Sequence, residues 1–135
     1  MNAYDKPLPV IDEESKGYWE HARAHRMSVQ VCASCGYRHF PPTPVCPACL
    51  SAKQTWQPVS GHGTLVSWVT FHRAYWNAFR GDLPYHVCLV QLDEGPIVVG
   101  NFPGDVPGNA AIGMPMKVQF EDVTPEISLA RFVPA

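Results

Sequence analysis

The sequence predicts a mainly β chain, with an N-terminal helix, a short metal-stapled ribbon and a barrel of five antiparallel strands. Three observations carry this. Two cysteine pairs, Cys32-Ala-Ser-Cys35 and Cys46-Pro-Ala-Cys49, lie close together in a short proline-containing stretch. Beyond Gly61, runs of β-branched and aromatic residues alternate with Gly- and Pro-containing turns. The chain has 135 residues, 46% of them hydrophobic. That suffices for one compact domain, or one small domain with a ribbon appended.

Residues 1–27 form the N-terminal segment. Residues 1–11 contain prolines and read as irregular. Asp12 is placed to cap a helix beginning at Glu13, with Glu13 and Glu14 in the first turn, where the helix dipole favours them. Tyr18, Trp19, Ala22 and Arg26 fall at helical spacing and give one aromatic face that can dock on something, a partner included. Gly17 works against the helix. His21 and His25 are four apart, but no third metal ligand stands nearby, so both read as solvated helix side chains.

Residues 28–57 form the ribbon. Ser28 to Val31 is a short strand leading into the first cysteine pair. Four thiolates in two such pairs suit a closed tetrahedral site, with zinc ranked ahead of iron. A closed site is structural, and a ribbon this short needs the metal to fold. Gly36 follows Cys35, where a left-handed residue lets amides curl toward sulfur. Tyr37 to Pro44 reads as a tight, proline-stiffened hairpin. Leu50 stands after Cys49 where ribbons often carry Gly, which costs about 1 kcal/mol if the position is left-handed.

Residues 58–135 form the barrel domain. Thr64–His72 and Tyr85–Leu92 read as the first two strands, and Ile97–Phe102 returns after the turn Asp93-Glu-Gly-Pro96. Residues 103–115 are loop. Met116, Val118 and Phe120 alternate with Lys117, Gln119 and Glu121, the period of a half-exposed strand. Ile127–Phe132 is the fifth. Five short strands fit a small barrel of the oligonucleotide/oligosaccharide-binding (OB) type, whereas a β-sandwich needs more. Cys88, inside Val87-Cys-Leu-Val90, reads as a small buried hydrophobe.

The net charge is −2, unevenly spread. Residues 21–81 hold no Asp or Glu but six Arg or Lys. A four-thiolate zinc centre carries −2, so this stretch keeps about +4. The loop between the first two barrel strands concentrates Arg73, Tyr75, Trp76, Phe79 and Arg80. In OB barrels this loop is one of the usual ligand-contacting loops. Rings stack on a flat base and arginines fork onto phosphates, so an adenine nucleotide or a single strand of nucleic acid would satisfy the set. The alternative is that the rings cap the barrel or meet a partner. The chain has no Gly-rich phosphate loop, no Gly-x-Ser-x-Gly elbow and no convincing acid/base pair. His62, His72 and His86 have no identifiable partner group. These absences argue against autonomous catalysis. No apolar run approaches a membrane span, and the start lacks a secretory pattern, so the expected location is cytoplasmic.

Several motifs occur in a specific order. Tyr18-Trp19 precedes Cys32-x-x-Cys35-Gly36 and Phe40-Pro-Pro-x-Pro44-x-Cys46-Pro47-x-Cys49. Ser60-Gly-His-Gly63-Thr, Val90-x-Leu92-x-Glu94-Gly95, Ile112-Gly-Met-Pro115 and Arg131-Phe132 follow. In this the chain resembles the zinc-ribbon/OB-fold acyl-CoA-associated family, long known as a domain of unknown function. The likeness runs from Gly17 onward, and Leu50 is its one clear departure. The resemblance implies a rubredoxin-like ribbon with one structural Zn2+ on Cys32, Cys35, Cys46 and Cys49. It also implies a CoA thioester as ligand. It further implies a non-catalytic role beside a thiolase, a thiolase-like aldolase or a hotdog-fold enoyl-CoA hydratase in a hetero-oligomer. The alternative function is a single-stranded nucleic-acid-binding module, which the pI near 6.3 disfavours. A third is a purely structural subunit without a ligand.

Overall fold

Residues 4–135 are described in the structure, a computed structural model. Residues 1–3, part of the irregular stretch expected before the helix, lie outside them. Helix α1 spans Lys16–Arg23, later than the expected start at Glu13. Asp12 caps the single turn that precedes α1: its Oδ1 accepts from the Ser15 amide at 2.8 Å, and its carbonyl accepts from the Lys16 amide at 2.9 Å. Its short side chain satisfies a turn that contains Glu13 and Glu14, and the helix begins only after that turn.

The aromatic face of α1 docks within its own chain. Tyr18 and Ala22 are buried, and the Tyr18 ring lies 5.4 Å from Phe40 and 6.3 Å from Trp56 of the ribbon. Tyr18 and Ala22 of this face are thereby committed to the chain's own core, while Trp19 stays half-buried beside them. Gly17 has a packing reason: a Cβ there would fall 2.2 Å from the Trp56 ring. Gly17→Ala should therefore destabilise the fold by about 1–3 kcal/mol, reversing the sign that helix propensity alone gives. Equilibrium urea unfolding reads the sign directly. After the helix, His25 turns left-handed at φ 59. Its Nε2 meets Asp122 Oδ1 at 2.7 Å and its ring stacks on Phe120, which ties the helix end to the barrel.

The ribbon sheet has the order β2-β1-β3, with β1 Ser28–Cys32, β2 Arg38–His39 and β3 Gln54–Pro58, all antiparallel. β3 is absent from the sequence reading, because Gln54-Thr-Trp-Gln-Pro58 is polar and owes its extended form to pairing with β1.

The remaining strands are β4 His62–Phe71, β5 Tyr85–Leu92, β6 Ile97–Asn101, β7 Pro115–Asp122 and β8 Ser128–Pro134. They close into a barrel in the order β4-β5-β6-β8-β7, the five-stranded OB-like arrangement expected. β4 and β5 pair from Gly63↔Leu92 to Phe71↔Tyr85, with a bulge between Leu65 and Ser67. The all-antiparallel expectation fails at one seam: β6 and β8 run parallel, because β7 intervenes between them in the chain, and the seam holds one pair, Asn101↔Arg131. One continuous core runs through all parts: Tyr18 and Ala22 from α1, Met27 and Val29 from the ribbon side, and Leu65, Val90, Val98, Met116 and Phe132 from the barrel. Cys88 is buried in it, as expected, and burial pushes its thiol up to about 11. Among the described residues no helix is long and apolar enough to cross a membrane.

Candidate metal centre and ligand loop

The two cysteine knuckles are built alike. The Gly36 amide donates to the Cys32 carbonyl at 2.8 Å, and the Leu50 amide donates to the Cys46 carbonyl at 2.9 Å. Both residues are left-handed, Gly36 at φ 78 and Leu50 at φ 65. Within each knuckle an amide points at a sulfur: Cys35 N–H to Cys32 Sγ at 3.4 Å, and Ala48 N–H to Cys46 Sγ at 3.3 Å. Ser34 and Ser51 hydroxyls bridge the knuckles at 2.8 Å, a link the sequence does not advertise.

All four sulfurs lie within 4.8 Å of one another. Cys32–Cys49 and Cys35–Cys46 are 3.5 and 3.6 Å apart. Four sulfurs about 2.3 Å from a tetrahedral zinc stand about 3.8 Å apart, so the donor set fits the ion. The electrostatics agree. The Cys35 amide beside it draws the Cys32 thiol down to about 6. Cys35 is pushed up to about 12 although the Tyr37 amide favours its thiolate, because the three neighbouring sulfurs, and the water they displace from it, oppose further negative charge. A divalent cation removes that opposition. Cys32, Cys35, Cys46 and Cys49 would hold it, and the service it supplies is structural.

Leu50 is 73% exposed, so its strain has no packing to offset it. Leu50→Gly should stabilise the protein by about 0.5–1 kcal/mol, the relief of left-handed strain less the unfolded-state entropy of Gly. Thermal unfolding of the metal-loaded protein measures it.

The five loop residues sit together beside the barrel, on and before a 3₁₀ turn over Asn77–Asp82. Tyr75 and Trp76 are 61% and 58% exposed. The Arg73 guanidinium lies over the Tyr75 ring at 5.2 Å, and Arg80 is exposed. Phe79 faces inward instead, 5.4 Å from Tyr85 and 5.6 Å from the Lys6 ammonium. It anchors the loop, while the other four face solvent. Four histidines are engaged structurally: His21 with the Gly17 carbonyl, His25 with Asp122, His39 with Gln54 and His86 with Thr70.

A closed four-thiolate ribbon joined through one core to an OB barrel defines a zinc-ribbon/OB-fold protein. The chain belongs to the DUF35 family of that class. Two family models match, "ChsH2, rubredoxin-like zinc ribbon domain" over residues 19–53 and "ChsH2, C-terminal OB-fold domain" over residues 56–121. A "DUF35 domain-containing scaffold protein" of Pyrococcus furiosus is 32% identical over 84% of this chain and 79% of its own length. The solved structure "Ltp2-ChsH2(DUF35) aldolase" contains a chain 34% identical, with a TM-score of 0.82, covering 94% of this chain and 98% of that one. The "3-oxo-4,17-pregnadiene-20-carboxyl-CoA hydratase alpha subunit" of Mycobacterium tuberculosis is 30% identical over 93% of this chain. A "Probable enoyl-CoA hydratase alpha subunit" of Thermomonospora curvata is 35% identical over 96%. The chain spans about two-fifths of the length of these two hydratase subunits.

Proposed function

We propose that this chain is a non-catalytic, zinc-stapled accessory subunit of an acyl-CoA enzyme, a thiolase, thiolase-like aldolase or enoyl-CoA hydratase. The observation that carries this reading is the end-to-end match to a chain of the Ltp2-ChsH2(DUF35) aldolase structure. The names of the hydratase alpha subunits point the same way. In this reading the enzyme subunit supplies nucleophile and base, and this chain contributes a rigid surface beside the CoA thioester. Arg73 and Arg80 take the phosphates of the CoA, and Tyr75 and Trp76 take its flat base. Phe79 holds the loop that carries them.

Replacing Arg73 and Arg80 together by Ala should weaken CoA binding at least tenfold in calorimetry, two charge-assisted contacts being worth more than 1.4 kcal/mol. Complex assembly should be unchanged. Loss of assembly with intact CoA affinity would instead make the loop an interface. The exposed rings and arginines also suit single-stranded nucleic acid. Anisotropy with DNA and RNA oligonucleotides at low salt separates the two readings, because salt-sensitive micromolar binding belongs only to the second.

A further inference from the structure

We propose that the outer face of the β4–β5–β6 sheet is the surface on which this chain docks its enzyme subunit, an inference that rests on the accessory-subunit reading above. The barrel registers fix which side chains point outward. They are alternate residues from Ser67 to Phe71 on β4, from Tyr85 to Gln91 on β5 and from Ile97 to Asn101 on β6. None of these ten positions is Asp, Glu, Lys, Arg or His. Val69, Ile97 and Val99 are 53%, 46% and 62% exposed, and Val87 and Leu89 lie half-buried between them.

An antiparallel sheet with one wet face ordinarily alternates apolar inside with polar outside. Here the inside is already supplied by Leu65, Cys88, Val90 and Val98, so Val69 and Val87 are not needed for the barrel core, while Val99 stands at the β6 edge, open to solvent and lining a cleft with Trp19, Phe40 and Pro42. An uncharged apolar patch of this kind marks an interaction surface. Phe71 and Tyr85 complete it at the loop end, their rings stacked 5.0 Å apart, and aromatic residues are favoured at interface centres.

The charges around the patch narrow the occupant. At the loop end stand Arg73 and Arg80, and the acid beside them, Asp82, is taken by Lys6 at 3.0 Å. At the opposite end, in the β5–β6 turn, Asp93 is exposed. Between them the sheet carries no cation, so it offers nothing to a polyphosphate backbone. It fits a protein surface that is apolar and uncharged at its centre, while Arg73 and Arg80 stay free for the CoA phosphates. The related chain of nearly the same extent occurs in a structure whose name joins two components, an Ltp2 and a ChsH2(DUF35). The enzyme component is accordingly the occupant assigned.

The test uses the enzyme subunit recovered with the wild-type chain and the double variant Val69→Lys/Val99→Lys. Both positions are already exposed, so melting temperature and zinc content should match the wild type. The dissociation constant of the complex should rise at least a hundredfold. Gln119→Lys, on exposed β7, should leave it unchanged. Wild-type affinity in the double variant would overturn the face assignment and leave the accessory reading standing. A free chain that is a dimer, split into monomers by the double variant, would also overturn it, by making the face a contact between copies. Failure of the unmodified chain to bind any acyl-CoA enzyme subunit would remove both readings.

Discussion

Cys32→Ser should abolish the metal centre and lower the stability of the whole chain, not only of the ribbon. Structural zinc in a small ribbon contributes about 10–16 kcal/mol of binding free energy at neutral pH, which in such modules is folding free energy. Cys32 is buried, ends β1, and receives the Cys35 amide. Serine there removes a thiolate that three other sulfurs cannot replace in tetrahedral geometry. The sequence alone allows the barrel to survive such a loss untouched. The structure argues otherwise, because Met27 and Val29 join the same core as Leu65, Val90 and Phe132. The Val59 amide also donates to the Met27 carbonyl at 2.8 Å across the joint. Elemental analysis should find one zinc per wild-type chain and close to none in the variant. Near-ultraviolet dichroism should report a barrel that melts at lower temperature. Full metal content in the variant would refute the ligand assignment.

Phe132→Ala should cost about 3–5 kcal/mol, the range for a fully buried aromatic truncated in a core that cannot collapse. Phe132 is completely buried on β8, paired with Val118 of β7, and its ring lies over Gly100 of β6. A Cβ at Gly100 would stand 2.6 Å from that ring and 3.3 Å from the Ala130 carbonyl. The seam between β6 and β8 has only one ladder pair, so this ring does much of the work of closing the barrel there. Gly100→Ala alone should also destabilise, by about 1–3 kcal/mol, through overpacking. The two together should be less damaging than their sum, since removing the ring removes the obstacle. Guanidinium unfolding of the four proteins in the cycle measures this. Strict additivity would mean that ring and glycine are not in contact.

The barrel was legible in the sequence because its signals are local. β-branched and aromatic runs, the Asp93-Glu-Gly-Pro96 turn and the alternation from Met116 to Glu121 each place a strand without reference to distant residues. The metal centre was legible because cysteine spacing encodes it, and Leu50 stood out because ribbons often carry Gly after the second pair, although only the structure shows that the position is left-handed. What was not legible depends on partners far along the chain. β3 exists through β1. Tyr18 and Ala22 of the α1 face are buried against Phe40, Trp56 and the core, so much of a stripe that suits a partner protein is spent inside the fold. Asp12 carries a capping signal, and only the structure shows that the turn it caps precedes the helix. In the 73–80 loop the composition was plain, but the inward turn of Phe79 follows from where Tyr85 stands. The runs Val87-Cys-Leu-Val90 and Ile97-Val-Val99 did carry a signal that both faces of the sheet are apolar. Alternation alone could not tell an outer face from a second core.

The claim at the centre of this account is that the chain works as a subunit beside an acyl-CoA enzyme. The most direct test is to purify the tagged chain from its native host and identify, with stoichiometry, what accompanies it by native mass spectrometry. A thiolase, thiolase-like aldolase or enoyl-CoA hydratase subunit in fixed ratio to this chain is the predicted result. Recovery of the chain alone, or with nucleic acid in place of an enzyme subunit, would contradict it.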